Sequence, residues 1–193
     1  MKRLVLLLPI VLAACNQGPS VSATNASVEE VANKVDAARA EGGFVAPGQW
    51  EGTMTINDVK IPGAPAGMAE QMKKGMMQPT TFTSCLTKEQ AQKPGSDFFG
   101  GKNSKDCKYD HFTMAGGAID AKMSCVAGGA TRTMVMKGNY SPDGYKMTVE
   151  SKGAAQPGNP MAAMEMTMTM EGKRTAPECT TPPANKAAGK AAG

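Results

Sequence analysis

The sequence predicts an all-β domain: an antiparallel curved sheet, an open barrel or sandwich of about seven strands, with one or two short helices. Three observations lead there. Apolar and polar residues alternate with a period of two in several segments, most plainly over Met164-Glu165-Met166-Thr167-Met168-Thr169-Met170. Turn signals such as Ser141-Pro142-Asp143-Gly144 separate these segments. The spacing leaves little room for the helices that parallel crossovers need. Only 5% of the 193 residues are aromatic, against 16 Met, so methionine must fill much of any core.

The first segment is not part of that domain. Met1-Lys2-Arg3 is a short basic start, Leu4 to Leu12 is apolar apart from Pro9, and Leu12-Ala13-Ala14-Cys15 places small residues before a thiol. The apolar run is too short to cross about 30 Å of hydrocarbon as a helix. It resembles a bacterial lipoprotein signal, so residues 1–14 are expected to be removed and Cys15 to carry the lipid. Asn16 stands where such signals carry Asp when the protein stays at the inner membrane, which implies the outer membrane. The expected address is therefore the periplasmic face of the cell envelope.

Residues 15–43 are expected to be a lipidated tether and a short helix, with the small polar stretch 16–26 flexible. Ser27-Val28-Glu29-Glu30 has the spacing of a capping box, and Val28, Val31, Val35 and Ala38 recur at helical intervals up to Gly42-Gly43. The β domain is expected over 44–180. Trp50, Gly52, Met54 and Ile56 alternate with Glu51, Thr53, Thr55 and Asn57, a half-buried strand that Pro62-Gly63-Ala64-Pro65 ends. Met68, Met72 and Met76 then recur every fourth residue, as on a helix or ordered loop. Thr80 to Leu86 is strand-like, and Thr87-Lys88-Glu89-Gln90 opens as a capped turn. Segments 108–114 and 118–125 flank Ala115-Gly116-Gly117 as a hairpin, and 131–139 and 145–151 flank the Ser141 turn as another. Residues 181–193, rich in Ala, Gly and Lys, can bury almost nothing and are expected to be disordered.

Four cysteines remain after Cys15, an even number in an exported chain, which favours two disulfides. If Met114 faces Ala118 across a three-residue loop, counting outwards sets Cys107 opposite Cys125 and Asp110 opposite Lys122. The expected bonds are Cys107–Cys125 and, by remainder, Cys85–Cys179. A thiolate metal cluster lacks any C-x-x-C spacing.

In order along the chain, Pro47-Gly48-Gln49-Trp50-Glu51, Thr83-Ser84-Cys85-Leu86-Thr87, Asp106-Cys107, Met123-Ser124-Cys125 and Gly172-Lys173-Arg174 through Cys179 resemble the domain-of-unknown-function family 3617. The resemblance covers roughly residues 44 to 180. It implies an exported protein of Gram-negative bacteria, often a lipoprotein, and it brings no site residues with it.

The residues disfavour an enzyme. His111 is the one histidine, so any Ser-His-Asp or Cys-His catalyst would have to be built on it, and counting from the hairpin puts it on the Cys107 face opposite Ala121. No cofactor and no metal site is expected. Cleavage removes Lys2 and Arg3 and lowers the formal charge from +4 to +2, too little for a nucleic-acid footprint. The expected partners are the membrane, through the N-terminal lipid, and an apolar ligand or an envelope protein. The candidate ligand-facing residues are Trp50, Met164, Met166, Met168 and Met170, with core packing as the competing reading of each. Alternatives are a Met-rich protein holding periplasmic Cu(I) through its thioethers, or a purely structural interaction lipoprotein.

Overall fold

The computed structural model describes residues 19–39, 44–92, 104–127 and 129–180. The lipobox with Cys15 and the 181–193 tail lie outside these residues. The fold is one open, eight-stranded antiparallel sheet. Its strands are β1 (Val21–Ser27), β2 (Gly48–Lys60), β3 (Thr80–Leu86), β4 (Cys107–Ala115), β5 (Ala118–Ala127), β6 (Ala130–Ser141), β7 (Gly144–Gly153) and β8 (Glu165–Ala176). They lie in the order β1-β4-β5-β6-β7-β8-β2-β3, so β4 to β8 form a meander. Among the described residues three α-helices accompany them: α1 (Val28–Arg39), α2 (Ala66–Met76) and α3 (Lys88–Gln92).

The unexpected strand is β1. Residues 21–26 fall within the stretch expected to be a flexible tether, yet with Ser27 they pair with the free edge of β4, Val21 opposite Met114 and Ser27 opposite Lys108. Asn25 adopts a left-handed backbone (φ 51°), which displaces the alternation and lets Ala23 and Ala26, three residues apart, both turn inward. Ser27 then caps α1, its Oγ accepting the Glu30 N–H at 3.1 Å. The capping pattern of α3 is also present. Thr87 Oγ1 accepts from the Gln90 N–H, and Gln90 Oε1 accepts from the Thr87 N–H, both at 3.1 Å.

The β4–β5 hairpin closes on two residues, not three. Gly116 and Gly117 both have positive φ (58° and 78°), the conformation of a tight hairpin turn that glycine adopts without strain. Ala115 therefore faces Ala118 and Met114 faces Ile119, one residue away from the expected register. A bulge at Asp110 absorbs the offset, so that Tyr109 faces Met123 and Cys107 faces Cys125. The Cys107–Cys125 bond forms as expected, and so does Cys85–Cys179.

Directly paired residues share a face, so the registers define one continuous inner surface. One rung runs Phe112, Ala121, Met136, Val149, Met168, Ile56, and the next runs Tyr109, Met123, Met134, Ser151, Met166, Val59. At the β1 end α1 closes this surface. Val28, Val31 and Val35 pack with Val21, Ala23, Ala26, Tyr109, Phe112, Met114 and Met123 into the buried core, and Phe44 joins them.

Candidate functional site

Beyond the reach of α1 the inner surface is methionine-rich and only partly covered. Met54, Met147, Met166, Met168 and Met170 lie on it and all are partly buried; Met134 and Met136 of β6, also partly buried, pack against the core beneath α1, where Met114 and Met123 are buried at 9% and 7%. The alternation of β8 does place Met166, Met168 and Met170 on one face, with Met164 just ahead of the strand. They are neither sealed core nor open surface: every residue from 165 to 170 is partly buried, on both faces of the strand.

Met147, Met170 and Met54 stand side by side on three adjacent strands. Their thioethers do not simply converge, because Met147 leans towards β6: its Cγ lies 2.9 Å from where a side chain on Gly138 would begin. Of the helical methionines, Met72, Met76 and Met77 are partly buried. The contact that holds α2, Lys73 Nζ to Asp58 Oδ1 at 3.1 Å, falls on the opposite, polar face, since Asp58 pairs with Thr167. That contact does not bring the two methionine groups together.

Trp50 packs between β2 and β7. It is 5% exposed, its indole N–H donates to the Ala46 carbonyl at 3.1 Å, and its ring stacks on Tyr145 at 5.9 Å. The stack reaches from β2 to β7 because Gly172 of the intervening β8 carries no side chain; a Cβ there would run into the Tyr145 ring. Phe82 covers Gly52 in the same way.

His111 is also displaced from its expected place. The Asp110 bulge turns it away from the Cys107 face and sets it opposite Lys122. There its Nε2 lies 2.8 Å from Asp120 Oδ1, with both side chains nearly half exposed. The hydrogen bond from His111 holds the Asp120 carboxyl below its ordinary range, and Lys137 adds to the effect. The polar face is laced with similar pairs: Lys122–Asp110 at 3.0 Å, Lys146–Glu171 at 2.6 Å and Lys152–Glu165 at 2.7 Å. An open depression of about 750 Å³ on this face includes Glu51, Lys146, Glu171 and Lys173. Lys146 and Glu171 form an ion pair across it, and Glu51 stands opposite Lys173 in register.

Three of the five sequence signatures, those around Trp50, Cys85 and Arg174, build one clamp, while Asp106-Cys107 and Met123-Ser124-Cys125 meet in the Cys107–Cys125 bond of β4 and β5. Gly48 lies so close to the Ala176 carbonyl that any side chain would collide with it. Pro47 O accepts from Arg174 Nε at 2.8 Å, and Arg174 Nη1 reaches Asp143 Oδ1 at 3.1 Å. Gln49, 6% exposed, donates from Nε2 to the Ser84 carbonyl at 3.0 Å, and its Oε1 accepts from the Thr180 N–H at 2.9 Å. The Cys85–Cys179 bond locks the same strands. Every element of this clamp falls in or next to residues 45–179, which match the family described as "Protein of unknown function (DUF3617)". The chain belongs to that family. No curated protein and no solved structure matches it. In this DUF3617 domain the signature residues join β2, β3 and β8 to the β6–β7 turn at one end, and β4 to β5 through Cys107–Cys125.

Sequence reasoning missed the methionines aligned with those of β8, namely Met54 and Met147 on the adjacent strands and Met134 and Met136 one strand further on. Their alternation was legible within each strand, but their alignment depended on strand order.

Proposed function

We propose that this chain is a lipid-anchored envelope protein that holds an apolar ligand of the acyl-chain class against its methionine face and catalyses no reaction. The observation that carries the reading is the contrast along one surface. Under α1 the inner face is sealed, while from β7 to β2 five methionines outside that core, Met54, Met147, Met166, Met168 and Met170, stop at partial burial. Such a surface gains free energy by covering, at roughly 25 cal/mol per Å² of apolar area removed from water. Unbranched thioether side chains adapt to an irregular or variable guest. The lipobox ending at Cys15 supplies the envelope address. The reading without catalysis is supported by the lone His111, which pairs with Asp120 on the opposite face.

The test is binding of pyrene-labelled palmitate to the purified mature protein, with mass spectrometry under native conditions on protein taken from membranes. Saturable binding that Met168→Glu abolishes and Thr169→Glu, on the other face, leaves intact is the expected result. Absence of saturable binding, with only empty chains in the native spectrum, overturns the reading.

A further inference from the structure

We infer that the end of the sheet formed by the β4–β5 and β6–β7 turns is set against a lipid bilayer, with the Cys107–Cys125 end pointing away from it. The inference rests on the lipid anchor of the proposed function and adds an orientation to it. β1 begins at Val21, six residues beyond Cys15. Even fully extended, that stretch spans only about 20 Å. The tether therefore holds the entry point of β1 close to the membrane surface.

That entry point is well defined. Val21 pairs with Met114, one residue before the end of β4 and beside the Gly116-Gly117 turn. The pairing of Ala118 with Asn139 carries the same level across to Tyr140, Ser141 and the Pro142-Asp143 turn. A 12-residue strand such as β6 is about 40 Å long, so the opposite end lies beyond the span of the tether.

The two ends also differ in chemistry. Ala115, Gly116 and Ala118 at the β4–β5 turn are exposed and uncharged, so they can approach headgroups without stripping water from an ion. The one charge of the neighbouring turn, Asp143, is already paired with Arg174. The far end presents Lys105, Asp106 and Lys108 on one side and Lys60, Lys152 and Glu165 on the other. In this orientation the rung of Met54, Met147 and Met170 is the methionine rung nearest the bilayer, and the rung of Met166 is the farthest.

Glycine amides mark both ends, which makes the orientation measurable. The lipidated full chain, labelled with ¹⁵N-glycine, is placed in nanodiscs of phosphatidylethanolamine and phosphatidylglycerol carrying a gadolinium-chelating headgroup lipid. The expected result is loss of the Gly116, Gly117 and Gly144 signals with Gly129 and Gly158 retained. Inserting about twenty Gly/Ser residues after Gln17 adds a flexible span of about 25 Å and should restore the lost signals. Signals lost equally at both ends, lost at the Gly129 end alone, or retained throughout in a chain that co-floats with the lipid overturn the orientation alone. A chain that does not float overturns the anchor and the orientation with it.

Discussion

The sheet has two halves that are held together by different means. On the β1-β4-β5 side a helix lies on the inner face and the residues beneath it are sealed: Val31 and Val35 are fully buried and Phe112 is 1% exposed. On the β7-β8-β2-β3 side no helix among the described residues seals the methionines, and the strands are fastened by a disulfide, by the Gln49 and Arg174 hydrogen bonds, and by aromatic rings laid over glycines. Packing under α1, with the short-range Cys107–Cys125 bond inside one hairpin, stabilises the first half, and the long-range Cys85–Cys179 link with its hydrogen bonds and ring contacts stabilises the second. A half that is cross-linked can leave apolar surface unfilled and still keep its shape, which is what a binding face requires.

The largest effect expected from breaking this contrast is on the covalent link of the open half. Replacing Cys85 and Cys179 together by Ala opens a loop with a sequence separation of 94 and should cost about 5 kcal/mol by loop-closure entropy, read as a shift in the urea midpoint. The same change at Cys107 and Cys125, separated by 18, should cost about 3 kcal/mol. Equal losses would show that the open half does not depend on its bond in this way.

Truncating the sealed half comes next. Phe112→Ala should cost about 4 kcal/mol, since a fully buried ring leaves a cavity that its neighbours fill incompletely. Gly172→Ala tests the aromatic covers of the open half and should cost about 2 kcal/mol, because the new methyl group must displace the Tyr145 ring. Met168→Ala should cost only about 1 kcal/mol, since a partly covered side chain loses less on removal. If Met168→Ala costs as much as Phe112→Ala in the same urea titration, the methionine face is core after all.

The response to pH sharpens the comparison from both directions. Burial pushes the Tyr109 hydroxyl in the sealed half up to about 12. A group raised in the folded state keeps its full contribution below the ordinary tyrosine value near 10, and that contribution is lost as the pH climbs towards 12. Tyr109→Phe should remove this alkaline loss. In the open half, the hydrogen bond from Lys73 lowers the Asp58 carboxyl and the one from Lys152 lowers Glu165. Groups depressed on folding contribute above the ordinary carboxylate range, and that contribution disappears as the pH falls through their folded values. Both remain partly open to solvent, so the acid effect should be small and should shrink further with salt, as the urea midpoints at neutral and acid pH would show.

Several features of the molecule were legible in the chain because they are local. The period-two alternation of 164–170 is a property of a strand by itself, the Ser27 and Thr87 caps are written in four residues each, and the Ser141-Pro142-Asp143-Gly144 turn needs no partner to be recognised. The cysteine pairing was legible through hairpin counting, although the count carried two compensating differences, a two-residue turn and the bulge at Asp110. His111 shows the consequence, since one extra residue in a strand moves the side chains beyond it to the other face.

The sequence by itself determined an antiparallel β protein, its turns, its cysteine bonds and a face of methionines, because alternation, capping and turn chemistry are fixed by neighbours in the chain. Only the tertiary structure decided that residues 21–27 form a strand, since their small polar side chains acquire a reason to extend only when the free edge of β4 offers hydrogen bonds. It alone decided where α1 lies, and so which methionines are sealed and which remain open. Burial is a property of what arrives on the other side of a face, and no local pattern specifies that arrival.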